Sequence, residues 1–192
     1  MLLQFSFILF VIFSAGSAHE ITLPVVTYKG TWHPWAHCPS GYFPVGMKVK
    51  AQHFQGDGDD TGVNAIELIC RHPHRHGEIP IKSGEGSFGD WERIKWCPGD
   101  QVIVGLQLQS QEEQGNGDDV GTANVAAHCG SRSDGSSGEH VRGTENPRDF
   151  GKWTETKWCP KGLAVCGIQT QIEGDLKDGD DTALNCVRIW CC

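Results

Sequence analysis

The chain offers no basic stripe, no helical pattern and no second long apolar run, and each absence narrows what it can do. Its 192 residues hold 16 lysines and arginines against 24 aspartates and glutamates, a formal charge of −8. Nothing in that balance would release counterions from a phosphate backbone, which argues against nucleic acid as a partner. Beyond residue 18 no stretch is long and apolar enough for a membrane span. No Asn-x-Ser/Thr sequence occurs, so N-linked glycosylation is not expected. Gly-x-Ser-x-Gly, His-Glu-x-x-His and Cys/His nucleophile patterns are missing too, which leaves a hydrolase reading without an anchor. After the first residues no apolar 3.6-residue period runs far enough to make a helix, so the expected fold class is all-β.

What is present begins with a leader. Residues 2–13 are almost wholly apolar and end in Ser14-Ala15-Gly16-Ser17-Ala18. This short apolar run with a small-residue exit reads as a secretory signal peptide over 1–18, although its first residues lack the usual basic charge. The remainder, 19–192, is expected to form one domain. In a secreted chain the nine cysteines become disulfide partners rather than working thiols.

Those cysteines also reveal a repeat. Cys38 to Cys70, Cys97 to Cys129 and Cys159 to Cys191 are each 32 positions apart. Asp59, Asp118 and Asp180 each fall 21 positions after the first cysteine of their frame, and each begins an Asp-Asp pair: Asp59-Asp60, Asp118-Asp119 and Asp180-Asp181. Gly46, Gly105 and Gly167 each fall eight positions after it. Spacing this regular means three copies of one unit, over about 19–71, 72–130 and 131–192.

Inside each frame an alternating strand leads to the aspartate loop and another returns. Val45, Met47 and Val49 precede Ile66, Leu68 and Cys70; Val104, Leu106 and Leu108 precede Val125, Ala127 and Cys129; Cys166, Ile168 and Thr170 precede Val187, Ile189 and Cys191. Further strands are expected over Glu20–Val26, with Pro24 marking an edge or bulge, and Ile79–Ile81. The Ser/Gly-rich run from Gly130 to Arg148 reads as a surface loop. Three small sheets, each apolar on one face, can all hide that face against a common axis. A three-sided prism with pseudo-threefold symmetry follows, whereas a two-layer sandwich cannot treat three equal units alike.

The pattern Cys-Pro-x-Gly-Tyr, then Gly-x-Gly-Asp-Asp-Thr-x-x-Asn-x-Ile-x-x-x-Cys, resembles the vitelline membrane outer layer protein 1 family. The third unit carries it through Cys166-Gly167-Ile168-Gln169-Thr170, Asp180-Asp181-Thr182-Ala183-Leu184-Asn185 and Cys191-Cys192. The resemblance covers nearly all of 19–192. It implies a β-prism of three antiparallel Greek-key sheets, a secreted protein with four disulfides, and a link to carbohydrate that includes transferase activity building N-acetylchito-oligosaccharides. The chain departs from the pattern at Val120, at Asn124 (one place late) and at Cys186.

Equal spacing pairs Cys38 with Cys70 and Cys97 with Cys129, each expected to close its own sheet. The same register pairs Cys159 with Cys191 and leaves Cys166 to Cys192. Cys166 and Cys191 share one inferred face, however, so that pairing stays open, with Cys186 as the candidate free thiol. Asp59, Asp60, Asp118, Asp119, Asp180 and Asp181 are candidate ligand residues. Aspartates in Gly-rich loops also fix turns by accepting backbone N–H groups. Calcium would suit such carboxylates, but the second loop is too poor a cage and the spacing is not that of an EF-hand, so neither metal nor cofactor is assigned. Trp35, Trp91 and Trp153 recur before each frame and could stack on sugar rings. As large aromatics in register they read more readily as equivalent core or prism-end plugs. His72, His74 and His76 alternate along a proline-stiffened loop that lacks a completing ligand. The expected role is a secreted, non-catalytic protein associated with glycans or with coat and matrix proteins; a carbohydrate-binding module and a glycan-transferring enzyme are the alternatives, with no catalytic residue to name.

Overall fold

The computed structural model describes residues 19–53, 61–113, 120–133, 137–145, 150–176 and 181–192. The leader over 1–18 and the candidates Asp59, Asp60, Asp118, Asp119 and Asp180 lie outside them. Among the described residues every regular element is a β-strand. The chain opens with β1 (His19–Thr22), β2 (Thr31–Trp32) and β3 (Ala36–His37), whose partners stand at the far end of the sequence. Next come β4 (Phe43–Ala51), β5 (Val63–Arg71) and β6 (Glu78–Glu85), followed by the short β7 (Asp90–Trp91) and β8 (Lys95–Trp96), which return to the open side of β4. A strand that returns beside the first of three is a Greek key. The plan recurs in β9 (Val102–Ser110), β10 (Thr122–Gly130) and β11 (Ser137–Arg142), with β12 (Lys152–Trp153) and β13 (Lys157–Trp158) returning to β9. The third sheet has β14 (Val165–Ile172) and β15 (Leu184–Cys191) from one end of the chain and β1, β2 and β3 from the other.

The molecule is a β-prism of three five-stranded antiparallel sheets. Met47, Val49, Ile66 and Leu68 from the first sheet meet Leu106, Leu108 and Val125 from the second and Ile168, Val187 and Ile189 from the third in one buried cluster. Full burial of each such side chain contributes about 1.5–3 kcal/mol relative to exposure. Three strand expectations need correction. The first strand stops at Thr22, close to Pro24, which has no N–H to extend the ladder. The strand around Ile79 runs the full length of β6. The Gly130–Arg148 run contains β11, with Val141 packed on the core, because the open edge of β10 supplies ladder partners whatever the intrinsic preference of the segment.

Alternation also fails at one repeated place. The register skips Val45, Val104 and Cys166, which are β-bulges near the start of β4, β9 and β14. After each skip the faces change over, so Ile103 and Val165 point into the main core, whereas Val104 and Cys166 pack with Phe43 and Ala164 in a second cluster. Cys166 therefore does not share the face of Cys191. The structure joins Cys166 to Cys192 and Cys159 to Cys191, and Cys186 is a buried free thiol whose pKa burial pushes up.

The other two disulfides, Cys38–Cys70 and Cys97–Cys129, do not each close one sheet. Cys38 follows β3, donating its N–H to the Cys166 carbonyl in the third sheet, while Cys70 lies on β5 in the first. Cys97 follows β8 in the first sheet, and Cys129 lies on β10 in the second. Cys159 follows β13 in the second sheet, and Cys191 lies on β15 in the third. Each unit lends its short opening strands to the preceding sheet, so the three bridges run in a cycle around the prism. Each closes a separation of 32 residues, which restricts the unfolded chain by about 3–4 kcal/mol.

At the opposite end, Gly62, Gly121 and Ala183 hold equivalent left-handed conformations, with φ of 59°, 63° and 44°. A Cβ on Gly62 would lie 2.6 Å from the Thr122 carbonyl oxygen, and one on Gly121 would lie 2.5 Å from that of Thr182. Backbones from neighbouring sheets thus touch here without side chains. Gly121→Ala combines left-handed strain with a backbone collision and is expected to cost about 2–3 kcal/mol in urea unfolding. Gly99→Ala, at φ 56° in open space, should cost about 1 kcal/mol.

Candidate functional site

The residues that follow the aspartates form three clamps. Gln52 Oε1 accepts the Thr61 N–H (3.0 Å) and hydroxyl (2.7 Å). Glu173 Oε2 accepts the same two groups of Thr182, at 3.1 and 2.7 Å. In the middle unit Gln111 Oε1 accepts only the Val120 N–H (3.2 Å), because valine brings no hydroxyl. Asn64 and Asn185 fill a second repeated bulge and donate to Thr61 Oγ1 (2.6 Å) and Thr182 Oγ1 (2.8 Å). Ala123 takes that bulge in the second unit, and the displaced Asn124 instead holds the next connector through the Thr144 N–H (3.1 Å) and carbonyl (3.3 Å). All three asparagines are fully buried. Asp181, the described member of the aspartate set, is 5% exposed and accepts the Leu176 N–H at 2.9 Å. The described part of the motif holds its own loop together.

The outer faces of the sheets are different. Trp32, Trp91 and Trp153 occupy equivalent places on β2, β7 and β12, each beneath a cation: Arg188 at 4.0 Å from the ring centre, Lys48 at 4.7 Å and Arg142 at 5.5 Å. Trp35 is not the counterpart of Trp91 and Trp153, as the sequence suggested; Trp32 is, because register is set by pairing to the neighbouring strand. These tryptophans are half-buried on the outside rather than core plugs: each packs against an outward-facing cation and belongs to neither buried cluster. A second row comprises His37, Trp96 and Trp158, each lying across one of the repeated glycines. A Cβ on Gly46 would come within 2.7 Å of the Trp96 ring, one on Gly105 within 2.9 Å of the Trp158 ring, and one on Gly167 would strike His37. The glycines are shelves for aromatic rings.

On the third sheet these rows meet a further aromatic. Trp190 stands edge-on to Trp35 (5.5 Å) and to His37 (5.8 Å), and Trp35 stacks on His37 (5.5 Å). Beside them Arg188 donates to Gln169 Oε1 (3.3 Å), and its guanidinium lies near Glu20 (3.6 Å). Of this group the sequence singled out only Trp35. Trp190 was legible in principle, because Ile189 and Cys191 on either side face inward and alternation sends it out. The arrangement can present aromatic edges and faces together with amide and guanidinium donors on a rigid sheet.

Elsewhere, His72 and His74 lie 6.0 Å apart between ring centres, with His72 against Tyr42 (5.2 Å). Partial burial first, then Arg75 and His74, hold the His72 imidazole below its ordinary value. Among the described residues no three His, Cys, Asp or Glu side chains converge to hold a metal ion.

Residues 19–192 match the sequence model of the family described as Vitelline membrane outer layer protein I (VOMI). A Mus musculus vitelline membrane outer layer protein 1 homolog is 40% identical over 173 residues, covering 87% of this chain and 81% of that protein. A Homo sapiens homolog is 38% identical over the same length and shares. Among solved structures, a mannose-specific jacalin-related lectin from Morus nigra, in complex with mannose, superposes with a TM-score of 0.55 over 93% of this chain and 96% of that one. At 8% identity this likeness speaks for the fold alone.

His128, beside Trp158 (4.7 Å) and His140 (5.6 Å), gives this outer surface a pH dependence. Burial first and His140 second hold its pKa below the ordinary 6.5. In the window below 6.5 the unfolded chain binds the proton more readily, so stability is whole above that pH and falls as pH drops through the folded value. The melting temperature is expected to decline from pH 7.5 to 5.5, and His128→Gln should make that decline shallower.

Proposed function

The chain belongs to the vitelline membrane outer layer protein I family, and from that premise we propose that it is a secreted, non-catalytic protein that binds glycans in an extracellular coat or matrix. The observation that carries this reading is the half-exposed cluster of Trp35, His37 and Trp190 beside Gln169 and Arg188. Sugar rings have one apolar C–H face and a rim of hydroxyls. Aromatic faces take the first, while amide and guanidinium groups take the second. Four disulfides suit an oxidising compartment, and the leader over 1–18, cut near His19, would deliver the chain there. The fold is shared with a lectin solved in complex with mannose, which supports a glycan role without naming the sugar.

Rigidity favours binding over catalysis in this reading. The clamps, shelves and disulfide cycle hold every outer face on paired strands, and among the described residues the carboxylate beside the aromatic cluster, Glu20, lies against Arg188 (3.6 Å). A glycan array with the refolded chain tests the proposal. Binding is expected, and Trp190→Ala should weaken it about tenfold, the loss of one stacking platform. Incubation with chito-oligosaccharides should return them unchanged by mass spectrometry. Longer oligomers that vanish in Asp180→Ala/Asp181→Ala would make the protein an enzyme, and no binding at all would leave a purely structural coat protein.

A further inference from the structure

At the cysteine end of the prism, between the first two sheets, lies a cleft of about 710 Å³, within the range of small-molecule sites. One wall is apolar: Val45, Pro73 and Val102. Arg132 also lines the cleft, with its guanidinium carbon over the Phe43 ring at 3.9 Å from its centre. The ring contact positions the guanidinium, and among the described residues no salt bridge engages it. Arg71, also in the wall, is already engaged by Glu78 (2.6 Å) and by the Trp96 face (5.4 Å). His72 Nδ1 accepts the His74 N–H at 3.0 Å, which directs its own proton to Nε2 and makes that edge a donor. Gln101 lines the same cleft, and its Oε1 is buried without a hydrogen-bond partner. Asp100 at the rim is the acidic residue of the lining.

Each feature asks for a different part of one ligand. A planar guanidinium held on a ring matches a carboxylate through two parallel N–H bonds. A buried amide oxygen without a donor calls for a hydroxyl or an N–H, since leaving it unmet costs about 1–3 kcal/mol. The apolar wall suits the C–H face of a pyranose. We propose that this cleft is a subsite for an acidic sugar, a uronic acid or similarly carboxylated residue. Its carboxylate lies on Arg132, a hydroxyl donates to Gln101 Oε1, and the ring rests on Val45, Pro73 and Val102. The inference rests on the glycan-binding reading above but names a second place and a charged substrate class. A single cleft of this kind gives a chain of net charge −8 a local means of holding an anion that its overall field repels.

NMR titration of the folded chain with methyl β-D-glucuronide, methyl β-D-glucoside and sodium sulfate tests it. The glucuronide is expected to bind at least fivefold more tightly than the glucoside, with shifts at Gln101 and Val102. Arg132 is exposed on a turn, so Arg132→Gln should leave the spectrum folded and bring the two sugars within twofold of each other. Trp190→Ala should leave the glucuronide preference intact, and Asp100→Asn should strengthen it. Equal binding of the two sugars, indifference to Arg132→Gln, or sulfate competing as well as the glucuronide would each overturn the proposal, the last by reducing the cleft to a simple anion site. If the subsite fails while array binding still depends on Trp190, the broader glycan reading stands; if both fail, it falls too.

Discussion

Each sheet of this prism has one apolar face and nothing of its own to cover it, and the rest of the structure answers that constraint. Met47 and Leu68, Leu106 and Val125, Ile168 and Ile189 are buried only because all three sheets face one axis. A prism missing one wall would expose the inner faces of the other two. The third wall is built from residues 19–37 and 165–191, so the hydrophobic core is completed only when the two ends of the chain meet. His19 pairs with Cys191 and Ala36 with Ile168, contacts that each span more than half of the chain. Contacts of this kind incur loop-closure entropy before they return any stability, which is where covalent links are most useful.

The disulfide cycle meets that need. Because the short strands β3, β8 and β13 belong to the sheet before their own frame, a bridge of constant spacing ties each sheet to the next instead of reinforcing a hairpin that turns and ladders already hold. The opposite end has no disulfides, and there neighbouring sheets meet by close backbone approach at Gly62 and Gly121. Buried polar groups demand partners, and Asn64, Asn124 and Asn185 find theirs in the loops and connectors of their own sheets, which fixes the chain where each sheet turns.

The frame made the sheets, the symmetry and the first two bridges legible, because each depends on a period that survives in the sequence. Interruptions of the period were not legible. A bulge at Val45, Val104 and Cys166 reverses the faces after it, and nothing in residue type marks it, since all three are apolar enough to have pointed inward. The Ser/Gly-rich β11 was hidden because its strand character comes from the open edge of β10. Trp35 was placed in register with Trp91 by nearness to cysteine, whereas pairing with β14 selects Trp32. The repeated glycines stood out by spacing, but their reason, an aromatic ring from another strand lying across each, is a contact between residues fifty or more positions apart: Gly46 with Trp96, Gly105 with Trp158, Gly167 with His37.

Symmetry then shows where function is free to reside. Interior positions keep their apolar character, as at Met47, Leu106 and Ile168, whereas outer ones differ in chemistry at equivalent places. The residue before the second cysteine of each frame lies next to the aromatic shelf, and it is Ile69, His128 and Trp190 in turn. The cross-strand pair at mid-sheet is Lys48 with Glu67, Gln107 with Ala126 and Gln169 with Arg188. The first is an ion pair at 3.0 Å, and the last a guanidinium bound to an amide beside three aromatic rings. An ion pair on an exposed face offers little to a neutral ligand, because its charges already satisfy each other. On the third sheet Gln169 is held by Arg188 and the His33 carbonyl, and what that face adds is the apolar surface of its stacked rings. If stability alone governed these positions, three equivalent sites under equivalent constraints would be expected to converge, as the buried glycines, threonines and asparagines nearly do. Their divergence on one rigid scaffold shows that the interior maintains the prism while each outer face is left to carry its own chemistry.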